Sequence, residues 1–176
     1  MSDQELITSI RSIPDFPKKG IVFRDITTLL KDKSAFKKSI DVLYERYKNS
    51  NIDKVVSVES RGFIFGSALA YRLGVGFVPV RKPKKLPAKT LREEYQLEYG
   101  SDALEIHEVS IQKNERVLIV DDLLATGVTI TAACNLVKKL EGEIVGIAFL
   151  IELSFLNGRS KLKGYDIFSI ITYDAE

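Results

Sequence analysis

The stretch Arg116 to Thr131, RVLIVDDLLATGVTIT, decides the fold of this 176-residue chain. Val117 to Val120 form a short apolar run of mostly β-branched residues, which is typical of a strand buried on both faces. Two carboxylates, Asp121 and Asp122, follow where that strand is expected to end. The stretch therefore predicts a buried parallel strand with an acid pair at its carboxyl end.

A small-residue loop follows the acid pair. It contains Ala125-Thr126-Gly127, and Thr129 is the predicted N-cap of a helix over residues 130–140. Ligands of open parallel sheets bind at the carboxyl ends of strands, and the free N–H groups of a helix N-terminus suit a phosphate. Two acids beside a phosphate loop indicate ribose hydroxyls or a divalent cation as further ligands.

An acid pair taken alone more often just ends a strand, and a Thr-Gly pair often just makes a turn. The unbroken order of apolar strand, two acids, Thr-Gly turn and capped helix favours the functional interpretation. The stretch lacks the Gly-Lys-Ser/Thr ending of a P-loop and the GxGxxG of a dinucleotide-binding fold. It therefore predicts a different phosphate loop.

The composition indicates one ordinary globular domain, residues 1–176, with 45% hydrophobic and 28% charged residues. A net charge of +2 does not indicate nucleic-acid binding. The single Cys134 excludes an intrachain disulfide, and the single His107 excludes a multi-histidine metal site. No apolar run approaches the ~20 residues of a membrane span, and no signal peptide is evident, so we expect a cytoplasmic protein without membrane contact.

Strand and helix patterns alternate through most of the chain. This alternation predicts an α/β fold, with a mostly parallel central sheet and helices on both faces. The predicted helices are 3–12, 34–48 with Ser34 as N-cap, and an apolar one over 63–73 that Gly74 closes. The other predicted strands are 54–58, 77–80, 143–151 and 165–172, and residues 21–26 are an edge strand or an extended segment.

Two more polar turns are expected at the same sheet edge. Glu59-Ser60-Arg61-Gly62 follows the strand over 54–58, and the basic run Arg81 to Lys89 follows the strand over 77–80. A charge run is usually a solvated loop. Here it continues into Thr90–Gly100, a polar stretch without clear strand or helix periodicity, and long irregular segments of this kind tend to be lids. We therefore predict a flexible lid over residues 87–100.

At this point the sequence resembles the type I phosphoribosyltransferases, whose binding signature is similar to VLIVDDLLATG in this chain. Within that family the resemblance is to the adenine-specific enzymes. It is carried, in order along the chain, by IVFRDIT at 21–27, SRGFIFG at 60–66, RKPKKLP at 81–87, EYQLEYG at 94–100 and IELSFLNGR at 151–159.

The resemblance implies transfer of the phosphoribosyl group of phosphoribosyl pyrophosphate (PRPP) to N9 of adenine, giving AMP and diphosphate. It implies Mg²⁺ held mainly by substrate and water, with no protein ligand assigned, and a homodimer. Residues 1–33 would form the base-binding segment, with adenine held by the backbone of Val22 and Arg24, by Phe23 and by Leu153.

The remaining implied roles group by substrate part. The ribose and its 5′-phosphate would bind Asp121, Asp122, Ala125, Thr126, Gly127, Val128 and Thr129, and the diphosphate would bind Glu59, Ser60, Arg61, Lys82 and Lys85. Tyr95 and Tyr99 of the lid would cover the site, and Glu98 would exchange a proton with adenine. The implied catalytic residues are Glu98, Asp121, Asp122 and Arg61.

One residue departs from the family pattern, because Val128 stands where glycine is usual. A β-branched residue disfavours positive φ, so we expect Val128 to have negative φ with its side chain turned away from the phosphate. The rival interpretations are a non-catalytic PRPP-sensing regulator and a xanthine or guanine enzyme. The first would lack a base site, whereas IVFRDIT and Glu98 are present, and the second would need side-chain donors for a 6-oxo group.

Overall fold

A five-stranded parallel sheet forms the centre of the protein. The computed structural model describes residues 3–97 and 100–175. In the sheet the strands lie in the order β4-β3-β7-β8-β9, and every neighbouring pair is parallel. Their bounds are β3 Lys54–Val58, β4 Gly76–Val80, β7 Arg116–Leu124, β8 Glu143–Leu153 and β9 Ile167–Tyr173. The predicted parallel α/β fold is confirmed.

In the described part of the chain, five helices and two small antiparallel pairs surround this sheet. The helices are α1 Asp3–Thr8, α2 Thr27–Lys31, α3 Lys33–Tyr47, α4 Arg61–Leu73 and α5 Val128–Lys139. One antiparallel pair joins β1 Arg11–Ile13 to β2 Phe23–Asp25, and the other joins β5 Thr90–Leu97 to β6 Gly100–His107. Two 3₁₀ turns, Ser154–Leu156 and Gly158–Lys161, follow β8. No helix in the described part of the chain is long and apolar enough to cross a membrane.

The sheet separates two apolar cores. On one face α1 to α4 pack through residues such as Leu6, Leu43 and Leu69. On the other face α5 and the β5–β6 pair pack through residues such as Leu136 and Leu104. Burial on both faces explains why the central strands read as continuous apolar runs rather than alternating ones.

The strand order reverses between β3 and β7. From β3 the chain runs through α4 to β4 on one side, and it later returns to β7 on the other side of β3. The crevice at the carboxyl ends of the two strands at such a reversal is the usual ligand site of open α/β sheets. The topology therefore places the acid pair and the turn after β3 side by side.

Several predicted bounds were wrong by a few residues. The first helix ends at Thr8 because Arg11–Ile13 instead pairs with β2. The N-cap of α3 is Asp32, not Ser34, since its Oδ1 accepts the backbone N–H groups of Ser34 and Ala35, both at 2.8 Å. The first bound depends on a pairing with a strand farther along the chain, and the second on a side chain just before the predicted helix.

The prediction of an irregular stretch before Gly100 was also wrong, because Thr90–Leu97 is a strand. It pairs residue by residue with β6, from Thr90 opposite His107 to Leu97 opposite Gly100. Cross-strand pairing satisfies its backbone, and Tyr95 packs into the core with only 8% of its surface exposed. The polar residues that obscure the strand pattern in the sequence lie mostly on the solvent-exposed side of this strand.

Candidate active site

A cleft of about 420 Å³ opens at the carboxyl ends of β3 and β7. The turn after β3, the loop after β4 and the loop between β7 and α5 form its walls. Its lining residues are Val58, Glu59, Ser60, Arg61, Lys82, Asp121, Asp122, Leu123, Leu124, Ala125, Thr126, Gly127, Val128, Thr129 and Ile130. The fold therefore brings the three predicted polar turns together in one cleft.

The acid pair lies inside β7 rather than after it, since the strand extends to Leu124. Asp122 is buried at 5% exposure, and its Oδ2 forms an ion pair with Arg61 Nε at 2.8 Å. Asp121 Oδ1 accepts the backbone N–H of Asp122 at 2.9 Å. This contact fixes the direction of the Asp121 carboxyl group at the cleft wall.

Burial raises the pKa values of both carboxyl groups. Desolvation is the larger cause for Asp121, and the charge of Asp122 raises its pKa further. Desolvation likewise raises the pKa of Asp122, although the Arg61 guanidinium opposes the shift. A positive charge arriving beside the pair would be favoured, because it would offset both causes.

Residues 125–129, which we call the phosphate loop, lead into helix α5, whose N-terminus has no side-chain cap among the residues that the structure describes. The N-cap of α5 is Gly127 with φ +79°, and no side chain in the described residues caps the first turn. The N-cap prediction for Thr129 was therefore wrong, because α5 begins earlier, at Val128. Uncapped N–H groups at a helix N-terminus are a ready anion site.

Val128 adopts helical backbone as the first residue of α5, and the positive φ falls on Gly127. The prediction of negative φ at Val128 is confirmed. The loop thus enters the helix one residue earlier than a loop that would need glycine at position 128. Its β-branched side chain packs beside the core on the α5 face.

Arg61 links the acid pair to the N-terminal segment. It is the first residue of α4, and its guanidinium carbon lies 5.6 Å from the centroid of the Phe23 ring. The Phe16 ring packs edge-on against the Phe23 ring, with the two ring centroids 5.2 Å apart. The predicted base-stacking residue Phe23 and the predicted ribose residue Asp122 are therefore both neighbours of Arg61.

The cleft lining does not include the other predicted adenine residues. Arg24 stacks its guanidinium on the Tyr173 ring at 3.9 Å and donates to Ser12 Oγ at 2.5 Å. Leu153 is the last residue of β8, partly buried at the carboxyl edge of the sheet. Val22 precedes β2 and is partly buried. The guanidinium of Arg24 therefore already has partners in Tyr173 and Ser12.

Glu59 holds two sides of the cleft together. Its carboxylate accepts the Lys82 backbone N–H at 2.6 Å and pairs with Arg81 Nη2 at 3.1 Å. Partial burial raises the pKa of Glu59, but these two contacts more than offset it and the net pKa is lowered. Glu59 therefore fixes the loop after β4, and its carboxylate is already occupied by these partners.

Lys82 extends across the cleft to the β5–β6 pair. Its ammonium donates to Asp102 Oδ2 and, at 2.8 Å, to the Tyr95 hydroxyl, while the Tyr95 hydroxyl donates to the same Asp102 oxygen at 3.2 Å. Tyr95 and Asp102 are direct cross-strand partners. Lys85 is exposed, and its carbonyl oxygen accepts from Arg81 Nη1 at 3.3 Å. Of these two predicted cations, only Lys82 lines the cleft.

The comparisons with known proteins agree with this geometry. A model of the phosphoribosyl transferase domain matches residues 25–174. The adenine phosphoribosyltransferase of Koribacter versatilis is 60% identical over 165 residues, which cover 94% of this chain and 91% of that protein. The chain belongs to the adenine phosphoribosyltransferase family.

Solved structures of the adenine phosphoribosyltransferase family superpose closely. The enzyme of Thermoanaerobacter pseudethanolicus has a TM-score of 0.95 at 57% identity, covering 98% of this chain and 100% of that one. The Saccharomyces cerevisiae enzyme has a TM-score of 0.90 at 44% identity, covering 96% and 97%. That structure was solved in complex with adenine and an imino-altritol bisphosphate. The type I phosphoribosyltransferase fold is thereby established for this chain.

Two of the predicted lid residues, Glu98 and Tyr99, lie outside the described residues. The third, Tyr95, is described and contacts Lys82. In this member of the adenine phosphoribosyltransferase family the base of the predicted lid is held against α5: Glu93 accepts from Asn135 Nδ2 at 2.8 Å and pairs with Lys139 Nζ at 2.6 Å. The polar Glu93 is therefore packed against α5 through partners of its own.

Sequence reasoning missed the partners of the site residues. Asp102 binds the cleft lysine, and Gly158 packs its backbone against the phosphate loop. The only local signal for Gly158 was its place in the motif IELSFLNGR. Asp102 carried no local signal, since its role depends on the cross-strand register of β5 and β6.

Proposed function

We propose that this chain transfers the phosphoribosyl group of PRPP to N9 of adenine and releases AMP and diphosphate, a purine salvage reaction. The observation that carries the proposal is the position of Arg61, which joins the buried acid pair to the Phe23 ring beside an uncapped helix N-terminus. The adenine bound in the yeast relative supports the choice of base.

The donor would bind through three groups in the cleft. Backbone N–H groups of the phosphate loop would hold the 5′-phosphate, with the Thr126 and Thr129 hydroxyls as further donors. Asp121 and Asp122 would accept hydrogen bonds from the ribose 2′- and 3′-hydroxyls. Arg61 and Lys82 would balance the negative charge of the diphosphate. Lys85 and Ser60 would contact the outer end of the diphosphate.

Bond cleavage would leave its electron pair on diphosphate and develop positive charge at the anomeric carbon. The acid pair would stabilise that charge, because a nearby positive charge would relieve the repulsion by which Asp122 raises the pKa of Asp121. Arg61 and Lys82 would stabilise the growing charge of the leaving group. The site would thus place carboxylates beside the positive anomeric carbon and cationic side chains beside the negative diphosphate.

Adenine would be held by backbone groups of Val22 and Arg24, with Phe23 on one face and Leu153 on the other. The N9 lone pair would form the new bond, and the ring would then lose one proton. We assign that proton to Glu98 from the family resemblance. Replacing Glu98 with Gln keeps its shape and one acceptor, so turnover should fall while the KM for adenine changes little; normal turnover would count against the role.

Magnesium is part of the proposal. The described residues contain no group of three or more His, Cys, Asp or Glu side chains that could hold a metal. Asp121 and Asp122 are the carboxylates nearest to the proposed ribose, and a site with so few protein oxygens fits an ion held mainly by substrate and water. When bound, the ion would neutralise part of the diphosphate charge. Activity should therefore depend on added Mg²⁺ and be lost with a chelator.

A homodimer and a cytoplasmic location stay predictions. Family resemblance supports the dimer, in which the Arg81-Lys82 stretch of one subunit would approach the site of the other. Light scattering should give twice the 19.8 kDa chain mass at micromolar concentration. A monomer would contradict the prediction.

The decisive experiment compares the purine bases. Purified protein with PRPP and Mg²⁺ should form nucleotide from adenine and not from hypoxanthine, guanine or xanthine, and these three should compete poorly. Nucleotide formation from a 6-oxo purine would replace the adenine proposal with the xanthine or guanine interpretation. PRPP binding without any product would favour the regulator.

A further inference from the structure

An ion pair between the half-exposed Arg159 and the buried Glu152 lies beside the turn that packs against the phosphate loop. Glu152 of β8 is 4% exposed, and both of its carboxylate oxygens accept from Arg159, at 2.6 Å from Nε and 2.7 Å from Nη2. Ser169 Oγ also donates to Glu152, at 2.7 Å. Two parallel hydrogen bonds between guanidinium and carboxylate fix direction as well as distance. The pair therefore holds the Gly158–Lys161 turn in a defined position on the sheet.

That turn contacts the phosphate loop through backbone atoms. A methyl group added at Gly127 would lie 2.6 Å from the Gly158 carbonyl oxygen, and one added at Gly158 would overlap the Ala125 carbonyl oxygen. Lys161 Nζ donates to the Thr126 carbonyl oxygen at 3.0 Å. A contact without intervening side chains transmits a shift directly, because close-packed groups have no space to absorb it.

The ion pair also lies level with the start of the loop. Glu152 is the register partner of Leu124, the last residue of β7 and the one before the phosphate loop begins. The loop is therefore fixed from β7 at one end and supported from behind by the turn that Arg159 holds. Both supports depend on the position of Glu152 at the end of β8.

We propose that Arg159 and Glu152 are positioning residues for 5′-phosphate recognition, acting through the backbone of Gly158 on the phosphate loop. The inference rests on the proposed function, in which that loop binds the phosphate. It predicts a selective effect. Loss of the ion pair should weaken ligands that carry a 5′-phosphate and spare the part of the site that holds the base.

The test measures the affinity of AMP and adenosine by calorimetry for the wild type and for Arg159→Met. The variant should bind AMP roughly tenfold more weakly, the effect expected for the loss of about one hydrogen bond to the charged phosphate. Its affinity for adenosine should be unchanged. Arg159→Lys, which retains the charge but not the two-point contact, should lie between the two.

Arg116→Met is the matched control. Arg116 of β7 pairs with Glu143 at 2.7 Å, at the opposite end of β8 from Glu152. Its loss should lower the melting temperature without changing the affinity for AMP. If Arg159→Met does not fold, Glu152→Gln gives the same test, because it removes the charge and keeps the shape.

The outcomes separate the two proposals. Equal losses for AMP and adenosine, or an Arg159→Met variant that binds AMP as well as the control does, would overturn the positioning role. If Arg159→Met does not fold, either of these results in Glu152→Gln would overturn the positioning role. Wild-type protein that binds adenosine as tightly as AMP would instead overturn the placement of the phosphate, and with it the proposed function.

Discussion

Replacing Gly127 with alanine tests the phosphate loop at the residue where its geometry is most restricted. Gly127 has φ +79°, and a Cβ atom there would meet the Gly158 carbonyl oxygen at 2.6 Å. The substitution therefore has two separable effects. One is backbone strain, and the other is a collision with the turn behind the loop.

The strain can be measured alone at Gly74, which ends α4 with φ +71° and has no atom within 4 Å of an added Cβ. An L-residue in the left-handed region costs roughly 1–2 kcal/mol. For a domain of this size each kcal/mol corresponds to about 2–4 °C in melting temperature. Gly74→Ala should therefore melt a few degrees below the wild type and keep its activity.

The collision adds a displacement at Gly127. Moving from 2.6 Å to an ordinary contact at 3.4 Å requires a shift of about 0.8 Å between the loop and the Gly158 carbonyl group. Neither side has a flexible side chain that could absorb it. A misplacement of this size lowers catalysis by roughly 10²-fold. We expect that loss in kcat/KM for PRPP, with a KM for adenine near the wild-type value.

The assay follows AMP formation at varied PRPP and saturating adenine, with thermal melting of each variant in parallel. Comparing Gly127→Ala with Gly74→Ala removes the shared cost of backbone strain. The reasoning fails if the two variants have the same kcat/KM for PRPP, because the contact with Gly158 would then not constrain the loop.

Three further predictions concern the acid pair, the loop and an outlying carboxylate. Changing both Asp121 and Asp122 to Asn should lower turnover by 10²-fold or more, on the order expected for lost electrostatic stabilisation, with the fold intact by circular dichroism; wild-type turnover would exclude their role. Val128→Gly should change the PRPP affinity little, since residue 128 is already helical, and a large gain would reveal a strained loop. The Thr27 N–H and a neighbouring guanidinium lower the pKa of Asp25 from 3.8 to about 2, so its stabilisation is present above pH 3.8 and is lost as the pH falls through 2. Urea unfolding of wild type and Asp25→Asn should therefore converge over that range, and a constant difference would contradict the assignment.

Much of the fold could be predicted from local sequence. The buried strands β3, β7 and β8 read as apolar β-branched runs because they are covered on both faces. Gly74 was correctly predicted to end α4, since its left-handed φ is the usual conformation at a helix end. These features depend on residues close together in the chain, so their signal is present in the sequence itself.

The errors arose where a distant partner decided the structure. The strand Thr90–Leu97 has an irregular pattern because its backbone pairs with β6 and its Glu93 pairs with Lys139 of α5. The start of α5 at Val128 depends on Gly127 lying against Gly158. Periodicity within a segment carries no information about such partners.

The sequence by itself determined the family, the order of strand, acid pair and phosphate loop, and the side-chain types available at each turn. These are local properties, set by hydrophobic periodicity and turn chemistry. The tertiary structure alone decided which groups meet: Arg61 with both Asp122 and Phe23, and Lys82 with Asp102. It also raised the pKa values of the acid pair, because desolvation depends on everything packed around a carboxyl group and not only on its neighbours in the chain.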